Sequence, residues 1–165
     1  MTPSFAFKSS FALKGSLAAL AIALPLLAPF AAEARPVRIT TTLNAYGGDG
    51  AYLAVYLTDK DGKLQKTLHV AGGKAKYHKH LSGWYRQSGG RIDGTTGASV
   101  GAGKSLTISA EIADALIDAG FEIRVDSAVE KESDIPVDAR IAVSKASVGK
   151  PAAGRGYVKS LAIDM

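Results

Sequence analysis

The chain alternates for most of its length. Val37, Ile39, Thr41 and Leu43 fall on one side of a period-two pattern, with Arg38, Thr40 and Thr42 on the other. Leu53, Val55 and Leu57 repeat it against Tyr52, Ala54 and Tyr56, as do Leu106 to Ala110, and Phe121, Ile123 and Val125 against Glu122, Arg124 and Asp126. Ile141 to Val143 is short and apolar. Tyr157, Leu161 and Ile163 close the chain on one face, with Lys159 out of pattern. Gly47-Gly48-Asp49-Gly50 cannot be regular structure and reads as a turn. Asp61-Gly62 reads as a hairpin turn into a strand from Leu64 to Val70.

Two segments carry a helical period. Tyr77, Leu81, Trp84 and Tyr85 stand at i, i+4, i+7 and i+8, a stripe ended by Ser88-Gly89-Gly90. Ile112 to Ala119 reads as a short helix or turn stopped by Gly120. Lys145 to Gly156, rich in Gly, Ala, Ser and Lys, reads as a mobile loop. About seven short strands with one or two short helices predict a mostly all-β domain, an immunoglobulin-like β-sandwich. The cysteine pair of true immunoglobulin domains is missing, so the pattern leaves the topology open.

The amino terminus sets the compartment. Lys8 and Lys14 precede an apolar run from Leu17 to Phe30, interrupted by Pro25 and Pro29 and closed by Ala32-Glu33-Ala34. A basic start, a short apolar middle and a small-residue exit make a secretory signal peptide, expected to be cleaved after Ala34. The run is shorter than the roughly 20 residues of a membrane span, so no stable membrane insertion is expected after cleavage. Residues 35–165 then form a single domain in the periplasm, long enough for a core of its own. The chain has no cysteine, which excludes disulfides, thiol catalysis and cysteine metal sites. Its net charge of +5 is spread along the chain and does not suggest nucleic acid.

The segment that carries chemistry is Asp93-Gly94-Thr95-Thr96-Gly97-Ala98-Ser99. It is an acid, a flexible turn, and a hydroxyl between small neighbours. Gly94 and Gly97 open backbone shapes closed to other residues, and Ala98 removes bulk beside the Ser99 hydroxyl. Asp93 can accept backbone N–H bonds in the turn or orient the segment in a modifying enzyme. A plain glycine-rich β-turn is the alternative. The segment resembles the recognition sequence of ApbE-type flavin transferases, Asp-x-x-[Ser/Thr]-Gly-Ala-[Ser/Thr]. The resemblance implies FMN joined through its phosphate to Ser99, with Asp93, Gly94, Thr96, Gly97 and Ala98 read by the transferase. Many such sites end in threonine; this one ends in serine.

Further stretches carry a wider resemblance. They are Asn44 to Leu57, Leu81-Ser82-Gly83-Trp84-Tyr85, Asp93 to Val100, Asp118 to Asp126 and Gly154-Arg155-Gly156-Tyr157-Val158. In this order they resemble a domain-of-unknown-function family of predicted periplasmic proteins, over roughly Val37 to Met165. Members occur beside PepSY-domain membrane proteins and flavin transferases. The resemblance implies a flavinylated electron carrier, fed by a membrane-bound PepSY-type oxidoreductase and delivering electrons to an acceptor such as ferric iron or an iron chelate. It implies a shuttle rather than a free-standing enzyme.

Other features compete. Gly97 to Ser105 looks like a nucleotide-binding loop, but the pattern G-x-x-x-x-G-K-[ST] ending at Gly103-Lys104-Ser105 needs glycine where Ala98 stands. The alternating Leu106 to Ala110 that follows is a strand, not the required helix. His78 and His80 with Lys76 and Lys79 form a polar cluster: a solvated surface, or part of a metal site that would need further donors. Trp84 and Tyr85 either stack on the flavin ring or lie in the core. Arg155 either meets the FMN phosphate or is a surface arginine. A cofactor-free, immunoglobulin-like binding module of the periplasm is the alternative function.

Overall fold

The computed structural model describes residues 33–165. The expected leader, residues 1–34, lies outside them except for Glu33 and Ala34. The described chain folds as two sheets. β1 (Ala34–Leu43) crosses at the Gly47 to Gly50 turn into β2 (Tyr52–Thr58), which returns as β3 (Leu64–Ala71). A 3-10 turn (Ala75–His80) and the helix α1 (Ser82–Ser88) follow. Then come β4 (Thr95–Gly97), β5 (Ser105–Ala113), β6 (Glu122–Ala128), β7 (Asp134–Ala142), β8 (Ala152–Ala153) and β9 (Val158–Asp164). One sheet has the order β5-β1-β9-β8, the other β4-β3-β2-β6-β7. All neighbours are antiparallel except β3 and β4.

The predicted all-β sandwich is therefore what forms. The two strands beyond the seven expected are β4 and β8, three and two residues long, too short for alternation to reveal. Val37, Ile39 and Leu43 of β1 meet Leu53 and Val55 of β2, Ile123 and Val125 of β6, and Leu161 and Ile163 of β9 in one inter-sheet core. Alternation puts every second side chain of each strand on this face.

The second sheet is covered on its outer face too. Ala54, Tyr56, Val70 and Ala128 pack under Leu81 and Trp84. Ala54 and Tyr56 are thus buried like the opposite side of β2, as in a strand with both faces covered. The helical stripe is not one helix. It breaks at Leu81 (φ −79°, ψ 64°) between the 3-10 turn and α1, so Tyr77 leaves the Leu81–Trp84 face. Gly83 is required at this junction, because a Cβ there would stand 2.8 Å from Oδ2 of Asp126. That carboxylate accepts the Trp84 N–H at 2.7 Å and the Tyr56 hydroxyl at 2.9 Å.

Two other expectations shift and one holds. Ile112 belongs to β5, and only Asp114–Leu116 turns, as 3-10. The Lys145 to Gly156 segment holds a 3-10 turn (Lys145–Ser147) and β8. Asp61-Gly62 is the β2–β3 turn as predicted, with Gly62 at φ 78°.

Candidate functional site

The Asp93 to Ser99 segment is not a free loop. Its centre, β4, is an edge strand lying parallel to β3, with Thr95 beside His69, Thr96 beside Val70 and Gly97 beside Ala71. The pairing overrides the turn reading because hydrogen bonds fix both ends. Asp93 Oδ1 accepts the Thr67 backbone N–H at 2.9 Å. Burial opposes charge on Asp93, but the bonds from Thr67, its own backbone N–H and nearby Lys66 outweigh it and hold the carboxyl below its usual range. Gly94 lies so close to β3 that a Cβ would collide with the carbonyl oxygens of Thr67 and Leu68. At the other end the Gly72 N–H donates to the Gly97 carbonyl at 2.8 Å.

Thr95 is occupied. Its Oγ1 donates to the Leu68 carbonyl at 3.3 Å and lies 2.7 Å from Nδ1 of His69. His69 is 7% exposed, and its Nε2 has no partner. It lies under Gly97, where a Cβ would stand 3.1 Å from that nitrogen. Burial pulls the His69 pKa below its ordinary value, favouring the neutral ring.

Past Gly97 the chain is anchored again at Val100. This residue exchanges both backbone hydrogen bonds with Ala51, at 2.7 and 2.9 Å, and buries its side chain in the inter-sheet core. Ala98 and Ser99 form an exposed two-residue span between the two anchors. The Ser99 hydroxyl lies over Gly50, where a Cβ would come within 2.9 Å of Oγ. Thr96 is also exposed. The segment thus offers one small-flanked hydroxyl at Ser99, reachable without unfolding.

The other named residues fall elsewhere. Trp84 is 0% exposed. Its indole N–H donates to Thr67 Oγ1 at 2.9 Å, so it is a core residue with no face free for a flavin. It acts on the site from behind, by holding the residue whose N–H binds Asp93. Tyr85 is 36% exposed and packs edge-on to Trp84 at 6.2 Å. Arg155 sits by β7, at the sheet edge remote from β4. Its guanidinium donates to the Val137 and Pro136 carbonyls at 3.1 and 2.5 Å, so it does not meet Ser99. His78 is buried with Nε2 2.8 Å from the Gly72 carbonyl, while His80 faces Asp134 at 3.1 Å. The two do not converge, and no group of three metal-ligating side chains occurs among the described residues. No helix among those residues is long and apolar enough to cross a membrane.

His69 and Tyr52 are site neighbours that pattern reading passed over. Both sit on strands whose alternation marked them only as strand positions. Compared with known proteins, the chain matches the family described as "Predicted periplasmic protein (DUF2271)" over residues 34–160. No curated protein and no solved structure matches it.

Proposed function

The chain belongs to the DUF2271 family of predicted periplasmic proteins, and from that premise we propose that it carries FMN on Ser99 as a periplasmic electron carrier. The observation that supports this reading is a hydroxyl exposed in a two-residue span pinned at Gly97 and Val100, inside a full Asp-x-x-Thr-Gly-Ala-Ser pattern. Residues 1–34 are the secretory leader, and residues 35–165 are the single loaded domain.

Loading is a phosphoryl transfer. FMN is a monoester, so the donor must be an activated flavin dinucleotide. The Ser99 oxygen bonds to the FMN phosphorus, the phosphoanhydride bond breaks, and AMP leaves. The hydroxyl proton passes to a base of the transferase, since an unaided serine is a weak nucleophile and no base among the described residues bonds Ser99. Asp93 and Gly94 fix the segment against β3, Thr96 presents a hydroxyl for recognition, and Gly97 and Ala98 leave room beside the acceptor. Thr95 is excluded as acceptor because His69 and Leu68 hold its oxygen.

Once bound, the flavin supplies one- and two-electron transfer; the protein supplies position and surroundings. A tether suits the compartment, because a released cofactor would be diluted, while an attached one stays at high effective concentration beside its partner. The partners are an ApbE-type flavin transferase for loading and a PepSY-type membrane oxidoreductase as donor. The acceptor class is ferric iron or an iron chelate.

The test is co-expression of the exported chain with a flavin transferase. The intact mass should rise by FMN less one water, the band should fluoresce in a gel, and Ser99→Ala should abolish both. Modification that survives Ser99→Ala and disappears with Thr96→Ala would move the site. A colourless, unmodified chain beside an active transferase would end the redox reading.

A further inference from the structure

The partner of the Ser99 span in the second sheet is the start of β2. Ala51 pairs antiparallel with Val100, so the next positions of that register, Tyr52 and Ser99, stand across from each other. Ala51 and Val100 both point into the inter-sheet core. Side chains alternate, so Tyr52 and Ser99 project to the opposite, outer face. The approach of Ser99 Oγ to Gly50, two residues before Tyr52, agrees with this placement.

On that face Tyr52 opens a small aromatic cavity. Its ring lies across Gly72, where φ is 116° and any Cβ would run into the ring. Tyr77 meets it edge-on, with ring centroids 5.6 Å apart, and His80 lies 6.3 Å from Tyr77. These three residues, Ala128, Val129 and the charged Glu130-Lys131-Glu132 stretch line a cavity of about 130 Å³. The surfaces are mostly apolar. That is below the roughly 300 Å³ at which whole small-molecule sites begin, so it admits one end of a flat ring system and leaves the rest outside. Lys76 and Lys74 stand 4.8 and 5.8 Å from the Tyr77 ring centroid. They put positive charge beside the Tyr77 wall of the cavity.

We propose that this cavity seats the isoalloxazine ring of the FMN borne on Ser99, with Tyr52 and Tyr77 as its aromatic walls. The inference rests on the proposed attachment and adds to it where the ring goes. The apolar dimethylbenzene end enters beside Ala128 and Val129. The pyrimidine end stays at the surface, open to a redox partner. An aromatic wall also quenches flavin fluorescence, which gives the seat a signature separate from activity.

The experiment loads the full exported chain by co-expression with a flavin transferase and compares the parent with Tyr52→Leu, Tyr77→Leu and Tyr85→Leu. Intact mass reads attachment; fluorescence yield per bound flavin and visible circular dichroism read the seat. The parent should be dim, and Tyr77→Leu and Tyr52→Leu should be several-fold brighter at the same added mass. Tyr85→Leu, outside the cavity, should match the parent. Tyr77 is only partly buried, so its variant keeps the test alive if Tyr52→Leu fails to fold. A loaded parent as bright as free FMN, or brightness that changes with Tyr85 alone, overturns the seat and leaves the attachment standing. Absence of added mass on Ser99 overturns both.

Discussion

The two edges of the second sheet are both tied down by aspartates, in opposite settings. At the far edge, Asp138 is fully buried. It accepts the N–H groups of Arg155, Gly156 and Val158 at 2.7 to 2.9 Å and the Ser127 hydroxyl at 2.6 Å. It thus bolts the turn before β9 onto β7, a strand of nine residues. At the near edge β4 has three residues, and Asp93 holds its entrance from an exposed position through the Thr67 N–H. A buried carboxylate with every lone pair used is costly to disturb, whereas an exposed one competes with water. The far edge is built to stay closed. The near edge, which presents Ser99, is held by fewer and more exposed bonds.

Changes at the two edges should separate stability from loading. The largest effect is expected from Asp138→Ala, which takes the acceptor from the buried Val158 N–H and Ser127 hydroxyl and from the part-buried Gly156 N–H. Urea unfolding should show a loss of about 3 kcal/mol or more. An effect under about 1 kcal/mol would mean that water replaces the carboxylate and the far edge is no stiffer than the near one. Gly94→Ala comes next. Its methyl meets two carbonyl oxygens of β3. Because only a three-residue strand is displaced, it should cost about 1–3 kcal/mol, with transferase loading cut far more than the melting temperature suggests. Loading at the parent rate would show that β4 need not pair with β3 for recognition.

Asp93→Asn keeps the shape and removes the charge. Hydrogen exchange at the Thr67 amide should speed up by about threefold, because the amide oxygen still accepts the N–H but without the charge, while global unfolding barely moves. The smallest effect is in pH. The folded Asp93 carboxyl is held below its ordinary 3.8, so the detached edge takes up protons first as pH falls. The stabilisation is complete above about pH 3.8 and is lost on acidifying through the lower folded value. Thr67 exchange, corrected for its intrinsic rate, should rise over that interval in the parent and stay flat in Asp93→Asn. A matching rise in the variant would assign the effect to other carboxylates.

Much of the architecture is written locally. Period-two runs place β1, β2, β5, β6 and β9, because a strand with one face in a core must alternate. Asp61-Gly62 fixes a turn because few residue pairs take its backbone shape. The Asp93 to Ser99 segment is readable as a candidate because it is a string of residue types, and Ser99 is indeed left exposed. What the sequence could not decide is what those residues lean against. Glycine-rich and polar, β4 has no alternation to betray it and becomes a strand only because β3 offers a free edge. Trp84 and Tyr85 are equally aromatic in the sequence, yet the break at Leu81 buries one and exposes the other. Tyr52 reaches the neighbourhood of Ser99 only because β2 pairs with Val100. Alternation and turn chemistry act between residues a few positions apart and can be read along the chain. Edge pairing, the burial of a particular ring and the meeting of remote strands depend on which surfaces remain once the sheets have closed, and those exist only in three dimensions.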